Sequence, residues 1–263
     1  MRWKTRAIAM VVVVVLMAVS FVIPVSAISD DEVAAPSAIL MEPNTGKILY
    51  EKNANELRPC ASITKVMTLL LVMEAIDSGK ISLEDQVTAS AHAASMGGSD
   101  IWLKEGETMS VNDLIKATVI MSANDAAVVL AEHVYGTEDE FVKQMNIRAK
   151  QLGMNDTTFK NCNGLDEDGH LTTAHDVALM SAELIKHEKI FDYTLTWMDY
   201  VRDGETQLVN TNKLIRSYKG ITGLKTGTTS QAGSCISATA KRDNLSLVAV
   251  VLGCSTTDER FTS

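Results

Sequence analysis

The spacing of apolar positions divides the chain into three regions. Residues 37–52 form two short apolar runs separated by turn-forming residues at Pro43-Asn44-Thr45-Gly46, which predicts a β-hairpin. The run from Ile63 to Ile76 is too long for a strand and ends at Ser78-Gly79, so it predicts a helix. Because this helix is apolar on nearly every side, we expect it at the centre of the domain.

The middle of the chain is predicted to be helical and its end to be β-structure. Apolar positions at helical spacing, with acidic residues near the first turn, predict four further helices at 111–120, 126–133, 138–152 and 173–187. After Asp199 the pattern alternates, and residues 233–240 and 245–252 read as antiparallel strands around a polar turn. Strands from both chain ends should therefore form one antiparallel sheet covered by helices, an α+β fold of three layers.

The N-terminus has the layout of a secretory signal peptide. Three cations occur in the first six residues, an apolar run spans Ala7 to Ile23, and small residues precede Ala27. We predict a signal peptide at residues 1–27 with cleavage after Ala27, and an uncleaved anchor as the alternative. The protein should then be exported, to the extracellular face of the bacterial cytoplasmic membrane or to the periplasm.

Composition excludes several classes of function. With 263 residues, 46% of them hydrophobic, the chain can bury a sizeable core, and no repeat or linker divides it. It carries 33 acidic against 24 basic side chains, a formal charge of −9, so nucleic acid is not an expected partner. An anionic small substrate would need a local basic site.

Cysteine and histidine spacing predicts no metal site and no cofactor. The four cysteines lie in the exported part, where Cys235 and Cys254 on consecutive strands could approach each other; four buried free thiols are the alternative. Neither a CxxC pattern nor a Cys/His cluster occurs. His170 and His175 are near each other in sequence, but we expect them to make loop and helix-start hydrogen bonds.

The first candidate for chemistry is Ser62-Ile63-Thr64-Lys65 at the start of the apolar helix. Residues three apart on a helix share a face, so the Ser62 hydroxyl and the Lys65 amine can share a hydrogen bond. A serine becomes nucleophilic when a base takes its proton, and a lysine can be that base if burial keeps its amine neutral. The alternative is a helix N-cap followed by a solvated lysine.

Two further motifs carry suitable side chains. Ser122-Ala123-Asn124 follows an apolar segment; Ser122 could relay a proton and the Asn124 amide could hold a peptide backbone, both from a loop, although a helix cap is the alternative. Lys225-Thr226-Gly227 opens the closing strands, where a cation and a hydroxyl could hold a carboxylate beside a close-packed glycine. An ordinary edge strand is the alternative there.

The order Ser-x-x-Lys, Ser-x-Asn, Lys-Thr-Gly is the motif set of class A β-lactamases and penicillin-binding proteins. The chain resembles the low-molecular-weight penicillin-binding proteins that act as D-alanyl-D-alanine carboxypeptidases. The resemblance extends to Pro59–Thr68 around the nucleophile and to a middle signature that includes Asn163-Gly164-Leu165 and Gly169-His170. It implies the three-layer fold of β-lactamases and penicillin-binding proteins, with a catalytic domain at residues 34–263.

The resemblance implies a serine peptidase that removes the terminal D-alanine of a peptidoglycan pentapeptide. Ser62 would be acylated by the penultimate D-alanine carbonyl with Lys65 as base, and penicillin would inhibit the enzyme covalently. Ser122 and Lys225 would pass a proton to the leaving amine, while Asn124 positions the peptide.

The resemblance also implies groups that hold the substrate without reacting. The backbone N–H groups of Ser62 and Thr228 would form the oxyanion hole. Thr226 and Arg260 would hold the terminal carboxylate of the substrate, with Gly227 allowing its close approach. The implied partners are a stem peptide ending in D-Ala-D-Ala and β-lactam antibiotics.

The chain departs from the family pattern in two places. Some relatives have histidine where this chain has Thr228, a change that should leave the backbone donor in place. Relatives also continue past the position of Ser263 with a further helix and often a small all-β domain and an amphipathic anchor. We therefore expect the catalytic domain to be truncated at its C-terminal end, and any membrane association to come from a segment absent here.

Two other functions use the same motifs. A class A β-lactamase would need a glutamate-activated water, and between Asn155 and Asp176 the only glutamate is Glu167, which lacks the Glu-x-x-x-Asn spacing of that family. A penicillin sensor would be acylated once without turning over, but no signalling segment accompanies the motifs. Release of free D-alanine discriminates the carboxypeptidase from both.

Overall fold

The computed structural model describes residues 28–263, so the predicted signal peptide lies outside the described residues. The strands, in chain order, are β1 Ser37–Glu42, β2 Lys47–Lys52, β3 Gln86–Thr88, β4 Thr108–Ser110, β5 Met198–Val201, β6 Thr206–Val209, β7 Ile221–Thr229, β8 Gly233–Arg242 and β9 Leu245–Cys254. The α-helices are α1 Lys65–Asp77, α2 Ala91–Ala94, α3 Val111–Lys116, α4 Asn124–Tyr135, α5 Glu138–Gln151, α6 Ala174–Leu184, α7 Phe191–Thr194, α8 Leu214–Ser217 and α9 Glu259–Thr262. 3₁₀ turns occur at Asp30–Glu32, Ala61–Thr64 and Glu188–Ile190, and a π-helical turn at Ala117–Met121.

Both chain ends contribute to the central sheet, as the alternating patterns predict. Its strand order is β2-β1-β9-β8-β7, with every neighbouring pair antiparallel. Strands β3 and β4 form a small separate antiparallel pair whose connection contains α2, and β5 and β6 form a short hairpin. The predicted α+β fold class is confirmed.

Helix α1 lies at the centre of the molecule, where its apolar surface predicts it. It packs against α6 and α4, and α6 in turn lies on β1 and β9 of the sheet. Apart from residues near its C-terminal end, its side chains are buried. The opposite face of the sheet carries a smaller cluster that includes Ala38, Ile236 and Val251, against which Phe261 of α9 packs. The sheet is thus covered on both faces.

The structure corrects two details of the helical middle. The predicted helix 111–120 is α3 followed by the π-helical turn, after which Ser122 adopts left-handed backbone angles of φ 68° and ψ 29°. Asn124, predicted to lie in a loop, is the first residue of α4, because Ser99 O accepts a 2.6 Å hydrogen bond from its backbone N–H and takes the place of a capping side chain.

All four cysteines are free and buried. Cys235 belongs to the main core under the helices, whereas Cys254 belongs to the cluster on the opposite face of the sheet, so their position on consecutive strands does not bring them together as a pair. No helix among residues 28–263 has the length and apolar character that crossing a bilayer requires.

Candidate active site

Ser62 lies in the tight 3₁₀ turn that leads into α1. Ala61, just before it, has a positive φ of 51°, and the turn ends where Lys65 begins the α-helix. Ile63 and Thr64 are fully buried, while Ser62 keeps part of its surface exposed. The fold therefore leaves Ser62 partly open to solvent, while the residues that follow it anchor the turn in the core.

Lys65 is among the largest fully buried side chains of the described residues, and its amine has three oxygen neighbours. Lys65 Nζ lies 3.0 Å from Ser62 Oγ, 2.6 Å from Asn124 Oδ1 and 2.7 Å from the backbone oxygen of Asn163. Burial lowers the pKa of this amine from 10.5 to about 7, against the opposing effect of nearby Cys162 and two aspartates. A substantial fraction of Lys65 is therefore neutral at physiological pH.

The three neighbours of Lys65 suit a neutral amine. Such an amine has two N–H donors and one lone pair, whereas the amide oxygen of Asn124 and the carbonyl oxygen of Asn163 can only accept. The Ser62 hydroxyl can instead donate. With both hydrogens directed at the two obligate acceptors, the lone pair faces Ser62 Oγ, which is the arrangement a general base requires.

Asn124 is held in one orientation by the loop that precedes β4. Its Nδ2 donates to Gly97 O at 2.7 Å, and its backbone N–H donates to Ser99 O at 2.6 Å. This network fixes the amide with Oδ1 directed at Lys65. Asn124 therefore positions the lysine, a contact that the motif alone did not reveal, and its second N–H is suited to a substrate carbonyl.

Ser122 sits two residues before Asn124 on strained backbone. Its left-handed conformation is uncommon for a residue with a side chain, and it is only 5% exposed. Non-glycine residues in this region are enriched at functional sites, where the surrounding structure holds them. The π-helical turn and α4 fix Ser122 from both sides, close to the Asn124–Lys65 contact.

Strand β7 brings the Lys-Thr-Gly motif against the Ser62 turn. A Cβ added to Gly227 would lie 2.8 Å from Cys60 O and 2.9 Å from the backbone nitrogen of Ser62, so only glycine allows this approach. Lys225 and Thr226 are buried, at 2% and 4% exposure. The Lys-Thr-Gly motif of β7 thus lies directly against the turn that carries Ser62.

Lys225 is a second buried amine near the first. Burial lowers its pKa well below 10.5, and the cationic neighbours Lys65 and Arg260 lower it further. Lys225 Nζ donates to Thr226 O at 2.9 Å. Lys225 thus lies within electrostatic reach of Lys65 and Arg260, in a protein with a formal charge of −9. Of the three, the guanidinium of Arg260 remains protonated in proteins and supplies the cation that an anionic substrate needs.

Arg260, which belongs to α9, contacts the C-terminal end of β7. Its Nη1 donates to Thr228 Oγ1 at 2.8 Å and to Gly227 O at 3.1 Å, and only 7% of the residue is exposed. Thr226 Oγ1 donates to Thr211 Oγ1 at 2.7 Å. The residues expected to hold a carboxylate therefore lie along one strand end, next to the glycine that touches the Ser62 turn.

His170 makes the hydrogen bonds expected of it. Its Nε2 lies 2.8 Å from Thr64 Oγ1, and its Nδ1 accepts from the backbone nitrogen of Lys160 at 3.3 Å. Burial lowers the pKa of this imidazole to about 4, so the ring is neutral. Within residues 28–263 no group of three or more histidine, cysteine or acidic side chains is placed to hold a metal ion.

Comparison with known proteins agrees with this geometry. The family model described as D-alanyl-D-alanine carboxypeptidase matches residues 24–256. The chain belongs to this family. It is 52% identical over 229 residues to D-alanyl-D-alanine carboxypeptidase DacF of Bacillus subtilis, an alignment that covers 86% of this chain and 59% of that protein. The predicted resemblance is confirmed, and the chain spans about three fifths of that relative's length.

Solved structures of the family share the fold of this chain. Penicillin-binding protein D2 of Listeria monocytogenes in its ampicillin-bound form is 35% identical with a TM-score of 0.81, over 89% of this chain and 95% of that one. Penicillin-binding protein 6B of Escherichia coli is 34% identical with a TM-score of 0.83, over 89% of this chain and 76% of that one. The predicted penicillin-binding-protein fold is confirmed.

In this member of the D-alanyl-D-alanine carboxypeptidase family, some groups that contact the motif side chains are not predicted from the sequence. The carbonyl of Asn163 and the hydroxyl of Thr211 contact motif side chains, yet neither had been assigned a role. A Cβ on Gly164 would lie 2.0 Å from Ala61 O, so the loop after Asn163 also packs on the nucleophile turn. The Asn163-Gly164 dipeptide is the sequence feature that could have indicated the first contact. A single threonine such as Thr211 has no sequence feature that would indicate the second.

Proposed function

We propose that the chain is a serine-type D-Ala-D-Ala carboxypeptidase acting through an acyl-enzyme, with residues 34–263 as its catalytic domain. The observation that carries the proposal is the 3.0 Å separation of Ser62 Oγ from Lys65 Nζ, in a buried site that lowers the pKa of the lysine to about 7. Family membership supports the same reaction. The substrate is a peptidoglycan stem peptide that ends in D-Ala-D-Ala.

Acylation begins with proton transfer from the Ser62 hydroxyl to neutral Lys65. Ser62 Oγ then bonds to the carbonyl carbon of the penultimate D-alanine. The backbone N–H groups of Ser62 and Thr228 stabilise the negative oxygen that develops there, an effect worth about 10²- to 10³-fold in rate per donor in other hydrolases. The close packing of Gly227 on the Ser62 nitrogen supports this placement of β7.

Departure of terminal D-alanine requires a proton on its nitrogen. Ser122 and Lys225 pass to this nitrogen the proton that Lys65 took from Ser62, so Lys65 is neutral again when water attacks. The second N–H of Asn124 holds a carbonyl of the peptide meanwhile. Water then attacks the ester at Ser62, which releases the shortened peptide and returns the hydroxyl.

The basic end of the cleft selects substrates with a free terminal carboxylate. Thr226 and Thr228 offer hydroxyls, and Arg260 adds a cation that is already bonded to Thr228 Oγ1. A β-lactam presents a carboxylate and a strained amide to the same groups. Its amine stays tethered after ring opening, so Ser62 remains acylated and the enzyme is inhibited.

The proposed reaction places the enzyme outside the cytoplasm, where peptidoglycan lies. The predicted signal peptide at residues 1–27 agrees with that location. Membrane association through a further C-terminal segment stays a prediction from the resemblance.

The test is release of free D-alanine from a peptide ending in D-Ala-D-Ala. We expect the folded protein to release it, and Ser62→Ala to abolish both the release and covalent penicillin labelling. Ser217→Ala, which alters an exposed serine bonded only to the Lys213 carbonyl, is the matched control and should keep both. A folded protein that is acylated but releases no D-alanine would support the sensor, and rapid penicillin turnover would support the lactamase.

A further inference from the structure

Trp102 is the most exposed large hydrophobic side chain among the described residues. Its surface is 73% exposed, and its backbone has a left-handed φ of 54°. Such angles are rare for bulky side chains and cost about 1–3 kcal/mol. Because the indole is exposed, its burial does not provide the stabilisation that would offset this strain. The stability of the fold therefore does not explain a tryptophan at this position.

The backbone at Trp102 is held by charged side chains. The two carboxylate oxygens of Asp125 accept from the N–H groups on either side of it, Ile101 at 3.3 Å and Leu103 at 2.9 Å. Arg202 Nη1 donates to Ile101 O at 2.9 Å. Ile101 and Leu103 are buried, so the turn directs its two neighbours inward and Trp102 outward. The indole is displayed on a fixed support.

This support is continuous with the candidate active site. Asp125 follows Asn124, whose backbone N–H bonds to Ser99 O and whose side chain holds Lys65. Trp102 is three residues from Ser99, and an extended chain spans at most about 3.6 Å per residue. The Cα of Trp102 therefore lies within about 11 Å of the Cα of Ser99, which contacts Asn124.

Trp102 lines an open groove between this loop and the β5–β6 hairpin. Its volume is about 640 Å³, within the range of roughly 300–1,000 Å³ found for small-molecule sites. The groove is lined by Ile101, Trp102, Lys104, Glu105, Gly106, Glu107 and Arg202.

The charges in this groove balance. Arg202 Nε pairs with Glu107 Oε1 at 2.6 Å, and Lys104 stands beside Glu105. Two cations and two acids select neither an anion nor a cation. A flat aromatic face with planar carboxylate and guanidinium groups around it suits a neutral ring that has an apolar face and hydroxyl or amide groups at its edge. A pyranose is such a ring.

We propose that the Trp102 groove binds a pyranose ring of the glycan to which the stem peptide is attached. The inference rests on the proposed carboxypeptidase function. In a pentapeptide the cleaved bond lies four residues from the sugar attachment, a span of about 13–14 Å when extended. A substrate held at Asn124 can reach the groove with that length, because the Cα of Trp102 lies within about 11 Å of the Cα of Ser99, which contacts Asn124.

Two substrates test the proposal: an N-acetylated pentapeptide ending in D-Ala-D-Ala, and the same peptide carrying an N-acetylhexosamine disaccharide. We expect Trp102→Ala to raise KM for the disaccharide form about threefold to tenfold, the range that an aromatic contact supplies, with kcat unchanged. KM for the sugar-free peptide should stay unchanged. Trp102→Phe should restore most of the affinity.

Matched variants separate binding from structure. Trp102→Gly removes the ring and relieves the left-handed strain, so it should lose sugar recognition without losing stability. Tyr218→Ala removes another exposed aromatic side chain and should affect neither substrate. Equal losses on both substrates for Trp102→Ala, or no loss on either, would overturn the proposal.

Calorimetric titration with the peptide-free disaccharide tests binding in the groove independently of the carboxypeptidase reaction. Binding to the wild-type chain that Trp102→Ala weakens supports the groove even if no D-alanine is released. Normal release of D-alanine with identical kinetics on the two substrates overturns the groove and leaves the carboxypeptidase standing.

Discussion

The surroundings of Lys65 explain how two residues three apart in sequence can act as nucleophile and base. The sequence places Ser62 and Lys65 on one helix face, but it cannot show that the lysine is fully buried or that Asn124 and Asn163 supply its acceptors. Those acceptors matter because they leave the lone pair of the amine for Ser62. A backbone carbonyl such as that of Asn163 has no side-chain signature, so only the structure reveals it.

Replacement of Lys65 by arginine separates charge from basicity. A guanidinium remains protonated in proteins, so Lys65→Arg keeps a cation in the cleft but removes the base. We expect penicillin acylation to fall by at least about 10²-fold at every pH from 5 to 9. The measurement is the rate of labelling by a fluorescent penicillin, with circular dichroism to verify folding. A folded Lys65→Arg protein that is acylated at near wild-type rate would exclude Lys65 as the base.

At the scale of elements, the nucleophile turn is held between β7 and the loop after Asn163. Gly227 on β7 and Gly164 in the loop both approach backbone atoms of residues 60–62 closely enough to exclude a Cβ. The turn that carries the Ser62 hydroxyl is thus fixed by glycine contacts from two elements. These contacts join residues that are distant in sequence. The spacing of apolar residues therefore predicted the strand and the helix, but not the contact between β7 and the Ser62 turn.

Gly227→Ala tests that junction. Its Cβ would force β7 away from the Ser62 nitrogen, and a displacement of about 1 Å can lower the rate of a catalytic step about 10²-fold. We expect loss of acylation at this level in a protein that still folds. Gly97→Ala is the matched control because an added Cβ there meets no atom within 4 Å, although Gly97 also borders the cleft. Equal acylation rates in the two variants would show that β7 does not position the oxyanion donors.

The sequence predicts elements where their periodic pattern is long enough. The hairpin at 37–52, the closing strands and α1 show their alternation or apolar run clearly. The paired strands β3 and β4 have three residues each, too few to show an alternating pattern, and they were not predicted from the sequence. The Ser122-Ala123-Asn124 motif predicts Asn124 in a loop, with a helix cap as the alternative, whereas Asn124 is the first residue of α4 and its N–H bonds to a backbone carbonyl of another loop.

At the scale of the whole molecule, Cys254 lies in the apolar cluster on one face of the sheet, and the other three cysteines lie in the main core on the opposite face. Desolvation by burial raises the pKa of Cys60 to about 11 and that of Cys235 to about 12. The thiolate is the reactive form, so these thiols are unreactive in the folded protein.

Thiol titration with an aromatic disulfide reagent checks this arrangement. We expect almost no reaction at pH 8 in the native state and four equivalents after unfolding in guanidinium, one for each cysteine. Two equivalents after unfolding would reveal a disulfide and contradict the separation of Cys235 from Cys254. Rapid native reaction would contradict their burial.

The account as a whole depends on Ser62 being activated by a neutral Lys65, and the pH dependence of acylation measures this directly. The experiment follows intact mass after mixing with penicillin from pH 5 to 9, with peptide mapping of the adduct. Since the lysine must lose its proton to act, the rate should rise with pH to a plateau, with a midpoint near the Lys65 pKa of about 7 and a single adduct on the peptide containing Ser62. An adduct on another residue, or a rate that does not change across this range, would contradict the account.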